Sequence, residues 1–175
     1  MRTQRLITFA CSACLVLFVA GPGLADDERG DSNASLKGKY RFSMSKTCTD
    51  TATGSTVQLH FFGTANYDGN GNTTFKDRGT VFLPGPTQLS FEETAELTYA
   101  VKRNGSFTQQ GTFTATDGSF TVTGAKIVGQ IGADGSVLTL GAAIPAVKET
   151  LAFAGGGFTE RFCAASGTAV RIHPE

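Results

Sequence analysis

Few residues of this 175-residue chain have the type and spacing that acid–base or nucleophilic chemistry requires. There are two histidines. His173 lies in the C-terminal tail, and His60 stands between Leu59 and Phe61, so on a strand it faces away from them. A histidine on the outer face of a strand is more often solvated than catalytic. No serine stands in a G-x-S-x-G nucleophile elbow. The sequence therefore predicts no catalytic residue.

Two groups of acids could supply carboxylates for proton transfer. Glu92, Glu93 and Glu96 are close in sequence, but adjacent strand residues point to opposite faces, so Glu92 and Glu93 cannot converge. A solvated edge or rim is predicted for these three. Glu160 shares a face with Phe162. If that face is internal, Glu160 is a buried acid that needs a partner; a rim position is the favoured alternative.

Metal and thiol chemistry have weak support. The Asp68–Asn72 segment, DGNGN, opens like an EF-hand loop, but Thr73 and Gly79 stand where that loop needs Gly and Glu. A hairpin turn is predicted instead. Cys48 and Cys163, without paired histidines, would supply half of a tetrahedral zinc shell. We predict that they form a disulfide, and we predict no metal or cofactor.

The N-terminus has the features of a secretory signal peptide. Arg2 and Arg5 precede an apolar run over 6–20, and small residues follow it. The run is shorter than the ~20 residues of a membrane-spanning helix. We predict removal of residues 1–25, export to the periplasm or the extracellular space, and a mature chain that is not an integral membrane protein. A lipoprotein signal ending at Cys14 is the alternative.

The charge of the mature chain excludes some partners. Removing Arg2 and Arg5 from 15 basic residues leaves 13 against 15 acidic ones, a formal charge of −2. No basic stripe of the kind that binds nucleic acid is present. No cluster of Lys and Arg suggests an anionic membrane surface. A cysteine pair fits an oxidising compartment.

Four Asp-Gly or Asn-Gly pairs, at 68–69, 104–105, 117–118 and 134–135, separate segments that alternate apolar and polar residues. Such pairs accept the positive φ of a type I′ turn and predict β-hairpins. After a flexible polar arm over 26–36, we predict a single domain over 37–173 with a loop over 47–55. Strands are predicted at 38–46, 57–67, 73–83, 94–101, 106–115, 119–131, 137–142, 147–153 and 158–172, with a short edge segment at Leu89 and Phe91.

The predicted fold class is all-β. Eight or nine short antiparallel strands without crossover helices favour an up-and-down β-barrel, and a two-sheet β-sandwich is the alternative. Glycines within the strands suit the sharp bending of a closing sheet. A bond between Cys48, placed just after the first strand, and Cys163 in the last would join the two strands that must meet. On these boundaries Cys48 must reach round to the face that Cys163 presents.

Two segments carry a resemblance. Leu36–Phe42 (LKGKYRF) and Gly63–Asn72 (GTANYDGNGN) resemble small exported bacterial proteins of unknown function, whose barrels look like those of the calycin and allene-oxide-cyclase type. The resemblance implies a barrel over 36–172 and transfers no active-site residue. The lipocalin signature has Trp in the first strand; this chain has no Trp, and Tyr40 is the nearest substitute.

Three hypotheses for function follow. The first is a barrel that binds a small apolar or aromatic ligand in its lumen and needs a lined cavity. The second is an interaction protein that self-associates or docks through an apolar outer face, and it needs a filled lumen. The third is an enzyme of cyclase or isomerase type, which needs polar groups converging in the cavity. The residues predicted to line a ligand site are Tyr40, Phe42, Phe61, Leu97, Tyr99 and Phe113.

Overall fold

The computed structural model describes residues 32–172, which form nine β-strands and one short 3₁₀ helix. The predicted signal peptide, its processing site and His173 lie outside the described residues. The strand boundaries agree with the predictions to within a few residues, apart from the two extensions described below. The strands are β1 (Lys37–Asp50), β2 (Thr56–Asp68), β3 (Asn72–Phe82), β4 (Gln88–Val101), β5 (Ser106–Ala115), β6 (Phe120–Ile131), β7 (Val137–Ala142), β8 (Lys148–Phe153) and β9 (Phe158–Arg171).

The strands close into an antiparallel barrel. Each strand from β1 to β6 pairs with the next, and β9 pairs with β1 from Tyr40↔Arg171 to Asp50↔Arg161. Between β6 and β9 the wall consists of β7 in one half and β8 in the other, and both pair with the same two neighbours. The barrel thus has eight strand positions, and the predicted up-and-down barrel is confirmed. The alternative of a β-sandwich is wrong because the first and last strands pair.

Strand β6 changes its pairing partner at Gly124. Residues 120–123 of β6 pair with β8, whereas residues 127–131 pair with β7. Gly124 lies between these segments with φ +76°, a left-handed conformation that favours glycine. On the opposite side, residues 143–147 separate β7 from β8 and include a cis Ile144–Pro145 peptide. Gly124 is therefore where one long wall position divides into two short strands.

The four predicted hairpins form, but their turn type differs from the prediction. The second residue of each pair, at Gly69, Gly105, Gly118 and Gly135, has positive φ, while no described non-glycine residue does. A type I′ turn needs positive φ at both central residues. Instead, the Asp or Asn side chain accepts a hydrogen bond from the backbone N–H two residues later. This Asx geometry removes the need for a second left-handed residue.

The two ends of the barrel differ in their connections. Three tight turns and the chain before β1 lie at one end, which we call the closed end. At the other end, which we call the open end, the loops are 51–55, 83–87, 116–119 and 154–157. At the closed end, Asn33–Ser35 form the 3₁₀ helix and Leu36 is fully buried. The prediction of a flexible arm up to residue 36 is therefore wrong for its last residues, because Leu36 packs into the core.

Two strands are longer than predicted. β1 continues to Asp50, so Cys48 lies in a strand and not in a loop, and it stands directly opposite Cys163 of β9. Both cysteines face inward, and the predicted disulfide joins them with a Cα–Cα distance of 4.1 Å. Cys48 therefore does not reach round to another face. Similarly, Leu89 and Phe91 belong to β4 and not to a separate edge segment.

The outer face of the barrel carries apolar side chains as well as polar ones. Phe158 is 69% exposed, and Phe62, Phe162 and Val170 are about half-exposed. Phe62 is covered in part by the guanidinium of Arg78, whose Cζ lies 5.1 Å from the ring centroid. Within residues 32–172, no helix is long and apolar enough to cross a membrane.

Candidate functional site

The open half of the barrel contains a cavity of about 670 Å³. Its wall is mainly apolar and is built by residues of all nine strands, together with loop residues at the mouth. Phe61, Phe91 and Phe120 form a row of rings with centroids 6.3 Å apart. The apolar wall residues include Met44, Val57, Leu59, Phe61, Phe75, Phe91, Phe113, Phe120, Val122 and Leu151, and the mouth includes Thr53, Ser55, Leu83, Pro84, Ser119 and Phe153.

The predicted lining residues divide between the two halves. Phe61 and Phe113 line the cavity. Tyr40, Phe42, Leu97 and Tyr99 are not among the residues that line it; they are buried side chains of the core. Phe42 packs against Phe61, with ring centroids 6.3 Å apart, and so lies behind the cavity wall.

The closed half is filled by three tyrosines. The ring of Tyr67 lies 5.5 Å from that of Tyr40 and 5.2 Å from that of Tyr99, both edge to face. Each hydroxyl donates to a protein acceptor: Tyr40 to the carbonyl of Gly135, Tyr67 to Oε1 of Gln109, and Tyr99 to the carbonyl of Leu36. Burial raises the pKa of all three phenols. All three tyrosine hydroxyls are thus bonded within the protein, including those of Tyr40 and Tyr99, which were predicted to line a ligand site.

Charged side chains converge on the cavity from β1, β8 and β9. The Nζ of Lys46 lies 2.6 Å from Oε1 and 2.7 Å from Oε2 of Glu149. The Nε of Arg161 lies 3.4 Å from Oε2 of Glu149. Glu149 is 6% exposed and Arg161 7% exposed, so these charges are largely withdrawn from bulk water. Removing one partner of such a group would leave a buried charge uncompensated.

A pair of acids faces this group across the lumen. Asp77 of β3 and Glu93 of β4 are direct cross-strand neighbours and are 4% and 9% exposed. No N–H or hydroxyl group of the described chain donates to either carboxylate oxygen of Asp77. Two buried carboxyls side by side repel each other when both are ionised, so their proximity favours the protonated form of one of them.

Desolvation and the neighbouring charges set the protonation of these groups. Burial, and then repulsion by Glu93, raises the pKa of Asp77. Burial also raises the pKa of Glu93, against the opposing effect of Lys46 and Arg161. Burial lowers the pKa of Lys46, while Glu149 raises it. The cluster therefore sets two basic side chains against three carboxyls, and the raised pKa values of Asp77 and Glu93 reduce the negative charge that it carries.

Gly63 of β2 provides the space for the acid pair. It stands opposite Asp77 in the pairing of β2 with β3. A Cβ at Gly63 would lie 2.5 Å from Cβ of Asp77, well inside van der Waals contact. The absence of a side chain at residue 63 therefore lets Asp77 point into the lumen, where a larger residue would displace it.

The disulfide borders the same cluster. Oε2 of Glu149 lies 3.3 Å from Sγ of Cys163, but a disulfide sulfur carries no proton to donate. Cys48, Cys163 and Glu149 also lie close enough together for a metal to contact all three. Metal binding needs thiolates, and the two sulfurs are bonded to each other. This arrangement therefore favours a structural bridge beside the charged cluster.

The histidine and carboxylates singled out in the sequence lie mostly outside. His60 is exposed, as predicted, and its Nδ1 lies 3.0 Å from Oγ of Ser45. Glu92 and Glu96 are exposed on the outer face. Glu160 is also on the outer face, paired with Lys148 at 2.7 Å, so it is not a buried acid. The rim position predicted for Glu93 is wrong, because Glu93 faces the lumen.

Sequence reasoning missed Lys46, Asp77, Glu149 and Arg161 as site residues. Each had one available signal: it occupies the parity of its strand that carries apolar side chains or a cysteine. Lys46 stands two positions after Met44, Asp77 stands two positions after Phe75, and Arg161 stands two positions before Cys163. A charged residue on the buried parity of a strand is costly unless it is paired, so such a residue indicates either a partner or a site.

Comparison with known proteins adds no identity. The sequence matches no model of a protein family, and no significantly similar protein is found among curated ones. The cavity and the charged cluster at its wall are therefore the features that bear on function.

Proposed function

We propose that the protein is an exported barrel that binds a small, mainly apolar ligand in the open-end cavity. The observation that carries this proposal is the contrast within one lumen: tyrosines fill the closed half, while about 670 Å³ of space remains in the open half. Cavities of roughly 300–1,000 Å³ with apolar walls and a few polar groups are typical of small-ligand sites. A disulfide is typical of an oxidising compartment, which supports export.

The space in the open half favours a ligand over a solid barrel that acts only through its outer face. Exposed Phe158 and Phe162 are compatible with a contact between proteins. However, a barrel that serves only as an interaction surface has no need of an apolar cavity or of charged side chains within it. Desolvated charges cost stability, so their retention is better explained by a ligand.

Binding of the neutral dye Nile red tests this proposal. Val57 lines the cavity, and Val57→Trp should fill the space near the mouth. Val170 is about half-exposed on the outer face, so Val170→Trp is the matched control. We expect saturable fluorescence enhancement in the wild type and in the control, and its loss in Val57→Trp. Equal binding by the two tryptophan variants, or no saturable binding to the wild type, would contradict a luminal site.

A second candidate, an enzyme of isomerase type, is favoured by one observation. Glu93 lines the cavity beside Asp77, and burial raises the pKa of both carboxyls, so a carboxyl at an apolar cavity can accept or donate a proton near neutral pH. Such a group suits a substrate that loses a proton at one atom and gains it at another.

The base-promoted ring opening of nitrobenzisoxazole is a direct test of this capacity. A carboxylate removes the proton on carbon, the N–O bond breaks, and a phenolate nitrile forms. We expect turnover that Glu93→Gln abolishes and that Glu92→Gln, the exposed neighbour, leaves unchanged. A rate equal to that of free acetate in the wild type, or equal rates in the two variants, would reject the enzymatic candidate and leave ligand binding unaffected.

A further inference from the structure

The cluster at the cavity wall has an excess of hydrogen-bond donors. A guanidinium carries several N–H donors. Among residues 32–172, the polar contact made by Arg161 is that of Nε with Glu149. Both carboxylate oxygens of Glu149 already accept hydrogen bonds from Nζ of Lys46. The terminal nitrogens of Arg161 therefore stand at the cavity without a protein acceptor, on a residue that is 7% exposed.

A planar anion is the acceptor that suits this donor. A carboxylate can accept two parallel hydrogen bonds from a guanidinium, which a hydroxyl or an amine cannot. The remaining wall is apolar, so the part of the ligand attached to the carboxylate must be apolar too. The chemistry at the wall thus matches an amphipathic carboxylic acid whose chain lies along Phe61 and Phe113.

Charge balance decides what accompanies the anion. The cluster holds two basic side chains, Lys46 and Arg161, and three carboxyls, those of Glu149, Asp77 and Glu93, so it has no surplus of positive charge for an added anion. Adding an anion in a site of low dielectric is costly unless one negative charge is removed. Asp77 and Glu93 are the groups placed to do so, because burial already raises the pKa of each. A proton taken from solvent by this pair offsets the charge of the added anion.

We propose that the cavity is a proton-coupled carboxylate site: Arg161 binds the anionic end of an amphipathic carboxylic acid, and the Asp77–Glu93 pair takes up one proton when it binds. This inference rests on the proposed function. The charged residues that face the site are Lys46 of β1, Asp77 of β3, Glu93 of β4, Glu149 of β8 and Arg161 of β9. Of these, Asp77 does not line the cavity itself but is the cross-strand neighbour of Glu93, which does. Asp50 and Lys126 also line the cavity.

Displacement of Nile red by octanoate and by octanol tests the carboxylate. We expect octanoate to displace the dye at a concentration about tenfold lower than octanol, the effect of one charge-assisted hydrogen-bonded pair. Arg161→Gln should make the two competitors equal while still binding Nile red, and Arg41→Gln, at an exposed position, should keep the preference. Octanol equal to octanoate in a wild type that binds the dye would overturn the inference and leave the proposed function intact.

Proton uptake is tested on the wild type without any variant. Calorimetry of octanoate binding in two buffers of different ionisation enthalpy should show uptake of about one proton near pH 7. Above the pKa of the pair, affinity should fall by about tenfold per pH unit, as one-proton linkage requires. Asp77→Asn with Glu93→Gln should abolish this pH dependence and retain the preference for octanoate. No proton uptake in the wild type, or unchanged pH dependence in the double variant, would overturn the coupling.

Discussion

The two halves of this barrel are stabilised in different ways. The closed half is stabilised by packing: Tyr40, Tyr67 and Tyr99 contact one another edge to face, and their hydroxyls donate within the protein. The open half has a cavity, five buried or half-buried charged residues and a disulfide. Empty space and desolvated charge both reduce stability. The disulfide between β1 and β9 lies in the open half, where fewer packed side chains hold these two strands together.

Removing the disulfide should have the largest effect and should act on the open half. Cys48 and Cys163 are separated by 115 positions, and the chain-entropy model gives roughly 4–5 kcal/mol for such a loop. We expect Cys48→Ala with Cys163→Ala to lower the free energy of unfolding by about that amount, measured by chemical denaturation. Amide exchange should accelerate near Thr49 and Phe162 and much less near Tyr40.

Equal acceleration of amide exchange at both ends would contradict this localisation, because the bond would then stabilise the two halves of the barrel equally. Thiol titration of the denatured, unreduced protein provides the control: no reactive thiol is expected from the pair. Two reactive thiols would contradict the bridge itself.

Truncating an aromatic ring should cost more in the closed half than in the open half. Tyr67→Ala removes a fully buried ring that contacts Tyr40 and Tyr99 and leaves Gln109 without its partner. We expect a loss of about 3–4 kcal/mol in the free energy of unfolding. Phe113→Ala should cost less, about 1–2 kcal/mol, because its ring already borders empty space and the change enlarges an existing cavity.

Variants in the open half and in the closed half should also differ in ligand binding. Phe113→Ala should weaken binding of Nile red, whereas the milder closed-half change Tyr67→Phe should leave it unaltered. Equal losses of stability from Tyr67→Ala and Phe113→Ala would indicate that the open half is packed as tightly as the closed half.

Sequence patterns predict the closed half better than the open half. Alternation and Asp-Gly or Asn-Gly pairs are local signals, so they locate strands and turns, including β5 and β7 to the residue. The turn type was not predictable in the same way, because an Asp side chain can satisfy the turn without a second left-handed residue. The boundary of β1 also escaped prediction, since TCTD is polar and reads as a loop until its partner β9 is known.

The charged cluster could not be assembled from the sequence because its members come from five strands. The group Glu92, Glu93 and Glu96 indicates a rim because adjacent carboxylates cannot converge, yet Glu93 has the parity of Ala95 and Leu97. Asp77 carries the same signal beside Phe75. Parity identifies a charge that points inward, but only the closure of β9 onto β1 shows which charges meet.

Replacing the acid pair should remove a loss of stability that accompanies rising pH. The pKa values of Asp77 and Glu93 are raised in the folded protein, so the folded state holds protons that the unfolded state releases. The contribution of this pair to the free energy of unfolding is therefore greatest below the ordinary carboxyl pKa. It falls as pH rises towards the raised pKa values and is constant above them. Asp77→Asn with Glu93→Gln should remove this decline.

Chemical denaturation between about pH 5 and pH 8 measures this decline. Over that range we expect the free energy of unfolding of the double variant to rise by about 2 kcal/mol relative to that of the wild type. Glu92→Gln with Glu96→Gln, at exposed positions on the same strand, is the control and should give no comparable gain. A wild type whose stability is flat over this range would mean that the open half bears no cost for its buried acids.

The smallest expected effect comes from the segment that covers the closed end. Oδ1 of Asn33 accepts the backbone N–H of Val101 at 2.8 Å, where β4 ends, and a buried N–H without an acceptor is destabilising. Asn33→Ala should lower the free energy of unfolding by about 1 kcal/mol. Ser35→Ala, which removes an exposed hydrogen bond to the carbonyl of Ser32, should have little effect. Because Asn33 lies at the opposite end from the cavity, Nile red affinity and the preference for octanoate should both be unchanged. If instead Asn33→Ala weakened either of them, the two halves would be energetically coupled, and the packed end would take part in ligand binding as well as in closing the barrel.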